Sequence, residues 1–356
     1  MFKENYNVIG VMSGTSLDGV DLAYIKFNHS ENWTFEIFQS ETVSYSEEWL
    51  NKLKNAIHFS HSELEELNIS YTKLLASIIS EFISKNNLTE IDAVCSHGHT
   101  ILHQPQNGFT LQIGNLPMIR DIVNQTIVCD FRVQDVQLGG QGAPLVPIGD
   151  ELLFSEYDYC LNLGGFSNVS FNENGNRFAF DISPVNTVLN FYANELGFPY
   201  DDAGNLAKSG NVNQDLLQQL NDLDFYKAPY PKSLGMEFVN AEIFPHMHSF
   251  SIDVKDKLRT FVEHIALQIA NICSKPNSKL FITGGGAYNR FLIDRLRNYL
   301  PTTEVVIPDD KTIQFKEALI FGFLGILRLR NEINVLSSVT GAKQNHSSGA
   351  IFMKML

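Results

Sequence analysis

The residues of this 356-residue sequence that could do chemistry cluster in a few short strings rich in glycine, hydroxyl and carboxylate groups. The first is Gly14-Thr15-Ser16-Leu17-Asp18-Gly19-Val20-Asp21. Glycines let a turn bring backbone N–H groups close to an anion, and Thr15 and Ser16 add hydroxyl donors. Asp18 suits a magnesium ion held through water, because Mg²⁺ keeps much of its hydration shell. The alternative is a hairpin turn with solvated polar tips; Asp18 and Asp21, spaced around a second glycine, favour the site. This is not a Walker P-loop, since no Gly-Lys-Ser/Thr follows and the turn leads into a strand. Gly164-Gly165-Phe166-Ser167-Asn168 repeats the device, with an ordinary tight hairpin as its alternative. Gly284-Gly285-Gly286 lies between a strand and a helix, where three glycines cost backbone entropy with no packing gain. Close approach of a ligand such as the adenosine end of a nucleotide explains them, and the helix start beyond can complement phosphates. A dinucleotide GxGxxG spacing fails, because position 289 is Asn289.

Candidate acids, bases and anchors lie between these strings. Asp181 ends a strand before Ser183-Pro184, a place that suits either a general base facing a ligand or the N-cap of the next helix. His97 and His99, spaced i, i+2, can bond a substrate or serve as structural histidines, and no third metal ligand is near. Arg120 and Arg132 can each pair an anionic group or sit at the surface. Glu317 opens an apolar helix, where a carboxylate also favours the helix dipole.

Strand and helix signals alternate along the chain, which predicts an α/β fold. Strands are expected at Tyr6–Met12, Val20–Phe27, Ile91–Ser96, Thr126–Cys129, Tyr157–Leu163, Asn168–Phe171, Arg177–Phe180 and Lys279–Thr283. Ser62 and Glu65 fit a capping box opening a helix with Leu64, Leu67, Tyr71, Leu74, Ile78 and Phe82 on one face. Further helices are expected around 256–272, from about Asn289, and over 315–330, where the apolar run Ala318–Leu327 is too short to span a bilayer. The glycine- and proline-rich span 135–150 reads as a loop or lobe boundary. Residues 6–27 and 157–171 begin alike, strand–turn–strand, as in a duplicated two-lobe fold with ligand in its cleft.

Lys and Arg total 26 against 40 Asp and Glu, a net charge of −14. A net-acidic chain without a basic run is a poor match for nucleic acid or an anionic membrane surface. The N-terminus lacks the apolar core of a signal peptide. Cys95, Cys129, Cys160 and Cys273 are widely spaced without a CxxC pair, which reads as buried thiols in a reducing, cytoplasmic compartment.

Together the strings IGVMSGTSLDGVD (9–21), SHGHTILHQP (96–105), LQIGN (111–115), DFRVQDVQLGGQGAPLVP (130–147), LNLGGFSNVSF (161–171), FDISPVN (180–186), YDDAGNLAKSG (200–210), PYPKSLG (229–235), ITGGGAYN (282–289), KEALIFGFL (316–324) and SVTGA (338–342) resemble the anhydro-N-acetylmuramic acid kinase family, in family order over nearly the whole chain. The resemblance implies a two-lobe actin-like ATPase, a duplicated ribonuclease H-like fold with an interlobe active-site cleft. Lobe I would be 1–135 plus about 338–356, and lobe II 136–337. Gly14 to Asp21, with Gly164, Gly165 and Asn168, would hold the phosphates of ATP with Mg²⁺ at Asp18, and Gly284, Gly285, Gly286 and Asn289 would meet adenosine. The implied reaction is attack of water on C1 of 1,6-anhydro-N-acetylmuramic acid with phosphorylation of O6, giving N-acetylmuramic acid 6-phosphate for peptidoglycan recycling. Asp181 matches the base that activates the water. His97, Thr100, Asp130, Arg132 and Glu317 match positions around the sugar. A homodimer is implied by the resemblance alone.

Three departures stand out. The family's usual Thr-Gly-Pro-Gly-Asn after the base is Ile182-Ser183-Pro184-Val185-Asn186, His99 stands where many members carry Gln, and Met236 where Arg is common. They leave open a kinase of a related anhydro sugar. A nucleotide-switched actin-like binding protein is the alternative of another class.

Overall fold

The computed structural model describes residues 2–14 and 17–355. The chain forms two compact units, Met1–Leu153 with Phe315–Leu356, and Phe154–Gln314. These boundaries differ from those expected at 135/136 and 337/338. The span 135–150 is not a divider. Its helix Pro147–Leu153 belongs to the first unit, where Lys316 Nζ and Asp150 Oδ1 form a buried ion pair at 2.7 Å.

The first unit is built on one sheet. Strands β1 (Asn5–Ser13), β2 (Val20–His29) and β3 (Trp33–Val43) run antiparallel, and β4 (Ala93–Gln104) and β6 (Ile127–Cys129) continue the sheet parallel to β1. Strand β5 (Phe109–Ile113) pairs with β4, and β12 (Ala350–Phe352) closes the far edge. The second unit repeats the plan with β7 (Tyr159–Leu163), β8 (Phe166–Glu173) and β9 (Asn176–Pro184) antiparallel, then β10 (Lys279–Thr283) and β11 (Glu304–Val306) parallel to β7. The order β3-β2-β1-β4-β6 is matched by β9-β8-β7-β10-β11, the duplicated ribonuclease H-like arrangement of the actin-like ATPases. Strand β3 was not expected. Strand β4 does not stop at Ser96 but runs through His97–Thr100, because β5 returns to pair with its far half.

Helix α1 (His61–Lys85) is capped by Ser60, which forms the capping box with Glu63. The frame two residues later, Ser62 with Glu65, was the one expected; both satisfy Ser-x-x-Glu, and the chain folds on the earlier. Helix α2 (Asn186–Glu195), α3 (Val254–Ile272) and α4 (Arg290–Tyr299) serve the second unit. The last long helix, α5 (Asp310–Leu329), leaves helical geometry at Phe315 (φ −112°, ψ 17°), where the second unit ends and the first resumes. Its later part explains the apolar, glycine-bearing run. A Cβ on Gly10 of β1 would overlap the Ala318 carbonyl, and one on Gly325 would overlap Cys95 Sγ of β4. Helix and sheet meet at backbone distance. Among the described residues no helix is long and apolar enough to cross a membrane.

A buried hydroxyl cluster holds the end of β1. Ser13 Oγ lies 2.8 Å from His99 Nδ1 and 2.6 Å from Tyr45 Oη; Tyr71 Oη donates to Ser13 at 2.9 Å. His99 is thus a structural histidine on its Nδ1 side. Burial pushes it down to about 4, and the deeply buried His264 of α3, whose Nδ1 donates to Asn221 Oδ1, down to about 3.

Two outcomes follow. Gly10→Ala forces a methyl group into the Ala318 carbonyl, so stability falls by about 1–3 kcal/mol or more, read as a lower thermal midpoint. A histidine whose folded pKa is depressed contributes stability that is full above its unfolded value near 6.5. That stability is lost as pH falls toward the folded pKa, because the unfolded ring takes a proton the folded one refuses. His99→Gln therefore reduces the loss of stability between pH 6.5 and about 4 by about 3 kcal/mol at most, measured from denaturant midpoints at both ends. Carboxyls raised by burial act with the opposite sign and are common to both proteins.

Candidate active site

In the first unit the candidate residues lie just past the end of β1, at the start of β2, in the middle of β4 and just past the end of β6, with Glu317 on α5. Thr15 and Ser16 lie outside the described residues. Leu17 adopts a left-handed backbone (φ 63°), and its N–H bonds Gly14 O at 3.3 Å. Gly19 (φ 151°) passes so close to β3 that a Cβ would lie 2.5 Å from Val43 O, so this glycine is required by the fold. Val20 is fully buried in the core, which removes its side chain from any ligand. Asp18 faces solvent. Asp21, on β2, accepts from Thr42 Oγ1 at 2.6 Å; burial, aided by the Asp18 charge, holds its carboxyl above the usual range.

His97 and Arg132 act as one group. Arg132 Nε donates to His97 Nε2 at 2.8 Å, and His97 Nδ1 donates to Gly98 O at 2.9 Å. Both ring nitrogens are therefore engaged, the tautomer is set with the proton on Nδ1, and burial with the Arg132 charge keeps the ring neutral. His97 does not present a nitrogen to a sugar or a metal; it holds a guanidinium. Arg132 Nη1 donates to Gly142 O at 2.6 Å, and the Gly142 N–H donates to the buried carboxylate of Asp135 at 2.6 Å. Asp135 also accepts from Thr340 Oγ1 at 2.7 Å. Burial pushes Arg132 down to about 10, against the charges of Glu317 and Asp135. Among the described residues the second terminal nitrogen of Arg132 donates to none, which leaves it to meet an acceptor.

Glu317 stands just beyond the break in α5, beside the Lys316–Asp150 pair. Surrounding protein raises its pKa, Arg132 and Lys316 lower it, and Asp21 raises it. Asp18, Asp21, Glu317 and Arg132 thus form one electrostatic group. Asp130 takes a left-handed backbone (φ 59°) at the end of β6, half-buried, with its carboxyl pushed up by burial. Thr100 Oγ1 accepts from Gln112 Nε2 at 3.3 Å. Arg120 is elsewhere, in a surface ion pair with Asp121 at 2.6 Å. Sequence reading missed Asp135, Gln112 and Thr340, which brace the site from behind; the Asp three residues after Arg132 was the available signal.

The second unit assembles the remaining candidates. Asp181 does not end its strand. It lies inside β9, opposite Asn168 of β8, beside a bulge at Ser167/Asn168. Nor is it an N-cap, since the N-cap of α2 is Val185 and no side chain caps that helix. A segment fifty residues on takes its place as partner: Asp181 N–H donates to Lys232 O at 3.0 Å, and Leu234 N–H donates to Asp181 Oδ2 at 2.8 Å. Burial raises the Asp181 carboxyl, and the Leu234 amide opposes that rise. The departures beside it go inward: Ile182, Ser183 and Val185 are all buried, and Ser183 Oγ lies 3.0 Å from Ser167 Oγ.

Gly164 and Gly165 turn their carbonyls toward the start of α2, accepting from Asn186 N–H at 3.3 Å and from Thr187 N–H at 3.2 Å. Of the three later glycines, two answer to packing. A Cβ on Gly284 (φ 82°) would lie 2.5 Å from Asn162 Oδ1, and one on Gly286 2.6 Å from Leu163 Cβ. Only Gly285 opens on space, its nearest neighbour Asn186 Nδ2 at 3.8 Å. Asn289, expected at a nucleotide, is buried and caps α4 through Oδ1, which accepts from Leu292 N–H at 3.0 Å. Beside this loop lies a cavity of about 660 Å³ lined by Asp202, Asn205, Tyr288, Arg290, Arg297 and Ile313 among others. Among the described residues no group of three or more His, Cys, Asp or Glu is arranged to cage a metal.

Comparison with known proteins adds the chemistry. The sequence model of a family described as anhydro-N-acetylmuramic acid kinase matches residues 6–354. The anhydro-N-acetylmuramic acid kinase of Pasteurella multocida is 35% identical, covering 97% of this chain and 96% of its own. That of Haemophilus influenzae is 33% identical, covering 97% of each. Among solved structures, component A of the (R)-2-hydroxyglutaryl-CoA dehydratase of Acidaminococcus fermentans aligns over 90% of this chain and 97% of that one, at 13% identity and a TM-score of 0.47. The family match and the two full-length kinase relatives place the chain among phosphotransferases with an alcohol group as acceptor. This chain belongs to the anhydro-N-acetylmuramic acid kinase family.

Proposed function

We propose that this kinase acts on 1,6-anhydro-N-acetylmuramic acid with ATP and water, and that Asp181 is its general base. The observation that carries this is the state of the Asp181 carboxylate. One oxygen is committed to the Leu234 amide, so the carboxylate has a set orientation with its other oxygen for a water. Burial makes it more basic than an exposed aspartate. Asp181 takes a proton from the water as the oxygen bonds C1 of the sugar. The C1–O6 bond breaks, O6 bonds the γ-phosphorus, and the bond between that phosphorus and the β,γ-bridging oxygen breaks to leave ADP. The anhydro sugar has no free 6-hydroxyl, so ring opening and phosphoryl transfer are coupled.

Arg132, held by His97 and by the Gly142 carbonyl, offers its remaining donors to an anionic or carbonyl group of the sugar, with Thr100, Asp130 and Glu317 nearby in sequence or charge. ATP fits the residues present. Gly285 has space where a side chain would be, and the cavity beside Tyr288 and Arg290 has room for the adenosine. Gly14 and Gly19, with Gly164, Gly165 and Asn168, are assigned to the phosphate end. Asp18, solvent-facing and next to Asp21, suits a magnesium ion held through water, which supplies charge neutralisation at the phosphates. The buried thiols of Cys95, Cys129, Cys160 and Cys273 suit a reducing cytoplasm.

Turnover in ¹⁸O-water, followed by mass spectrometry, tests the assignment. The wild type incorporates one ¹⁸O at C1 of a sugar 6-phosphate, and Asp181→Asn loses turnover by about 10²–10⁴-fold. Product without ¹⁸O, or an active Asp181→Asn protein, refutes it. Asp18→Ala raises the KM for Mg-ATP with little change in the KM for sugar, read from initial rates at varied Mg²⁺.

A further inference from the structure

The loop Ala228–Gly235 is the only partner the described structure gives to the Asp181 carboxylate. None of its residues is fully buried, and it lies outside the sheet. Two side chains anchor it. Tyr230 stacks on Phe180, with ring centroids 4.8 Å apart at 5°, and its hydroxyl donates to Glu173 at 2.9 Å. Lys232 turns back on the short helix Asp224–Lys227. Its ammonium donates to Phe225 O at 2.8 Å and Ala228 O at 3.2 Å and sits 4.6 Å from the centre of the Phe225 ring. The carbonyls it meets are at the end of a helix, where a cation is favoured. The same residue's backbone carbonyl receives the Asp181 N–H, and two residues later the Leu234 N–H meets Oδ2.

We propose that Lys232 is a positioning residue for the proposed base: its ammonium, pinned to the Phe225 and Ala228 carbonyls, fixes the turn whose Leu234 amide orients the Asp181 carboxylate. This rests on Asp181 being the base. Lys232 touches neither reactant; it acts through the backbone between 232 and 234. Without the pin, the Leu234 N–H no longer donates steadily to Oδ2. Two effects follow. The carboxylate loses its set direction toward the water, and it loses the hydrogen bond that favours its ionised form. Oriented groups are sensitive to such loosening.

The test is the pH dependence of kcat for wild type, Lys232→Met, Lys232→Arg and Asp181→Asn, with thermal midpoints for each. Lys232→Met is expected to lower kcat by about 10–100-fold with the KM values for sugar and ATP nearly unchanged. The limb on which kcat falls with decreasing pH moves to higher pH, because the base then takes its proton more readily. Lys232→Arg, which keeps a cation able to reach the carbonyls, restores most of kcat and returns the limb. An unchanged limb in Lys232→Met overturns the proposal, whether kcat holds or falls with a rising KM. So does a Lys232→Arg protein no better than Lys232→Met at equal thermal stability. An active Asp181→Asn protein refutes the base assignment itself. An inactive one beside a normal Lys232→Met refutes only the role of Lys232.

Discussion

The candidate site of the first unit depends on one close contact, that of helix α5 with the middle of its sheet. Gly10 on β1 and Gly322 and Gly325 on the helix let backbone meet backbone; Gly322 has Gly10 Cα, Val8 and Ile25 as its neighbours. Side chains at these positions would lift the helix off the sheet. The contact includes Ala318, one residue after Glu317, so the packing that buries the helix also holds the backbone beside that carboxylate against β1. Lys316, on the other side of Glu317, is tied to Asp150. Charge and packing thus meet in three consecutive residues.

Around that frame the polar groups are arranged in tiers. Arg132 carries the charge, His97 and Gly142 O direct it, and Asp135 directs Gly142. A neutral histidine is well suited to the second tier. Its Nε2 accepts from a guanidinium only while the ring is unprotonated, and burial maintains that state. The second unit uses the same logic with fewer parts. A backbone amide, held by a loop, directs Asp181.

Much of this was legible in the sequence, and the failures have physical reasons. The strand Lys279–Thr283 was read with its observed bounds, and the buried helix after Glu317 from its apolar run, because both are local patterns. The extension of β4 through His97–Thr100 was not, since it depends on β5 pairing with it from residues 109–113. Asp181 looked like a strand end because Ser183-Pro184 follow. Its true partners, Lys232 and Leu234, are fifty residues away and bond through backbone, which leaves no side-chain signature. The three glycines at 284–286 were all read as making room for a ligand, yet two make room for Asn162 and Leu163. Composition reveals where glycine is needed, not what it avoids. Val20 and Asn289 fell inside strings that look functional throughout, but one is core and the other a helix cap.

The inward turn of Ile182, Ser183 and Val185 bears on how divergence next to such a carboxylate is read. These are the positions at which the chain differs from the usual family string, and they look at first like altered contacts with a ligand. Their side chains belong to the interior of the second unit, Val185 within its hydrophobic core and Ser183 bonded to Ser167. Selection on them is therefore selection on volume and hydrogen-bond closure inside the lobe. Such a string can drift as the surrounding interior drifts, while Asp181, the half-buried residue just before it, keeps its surroundings.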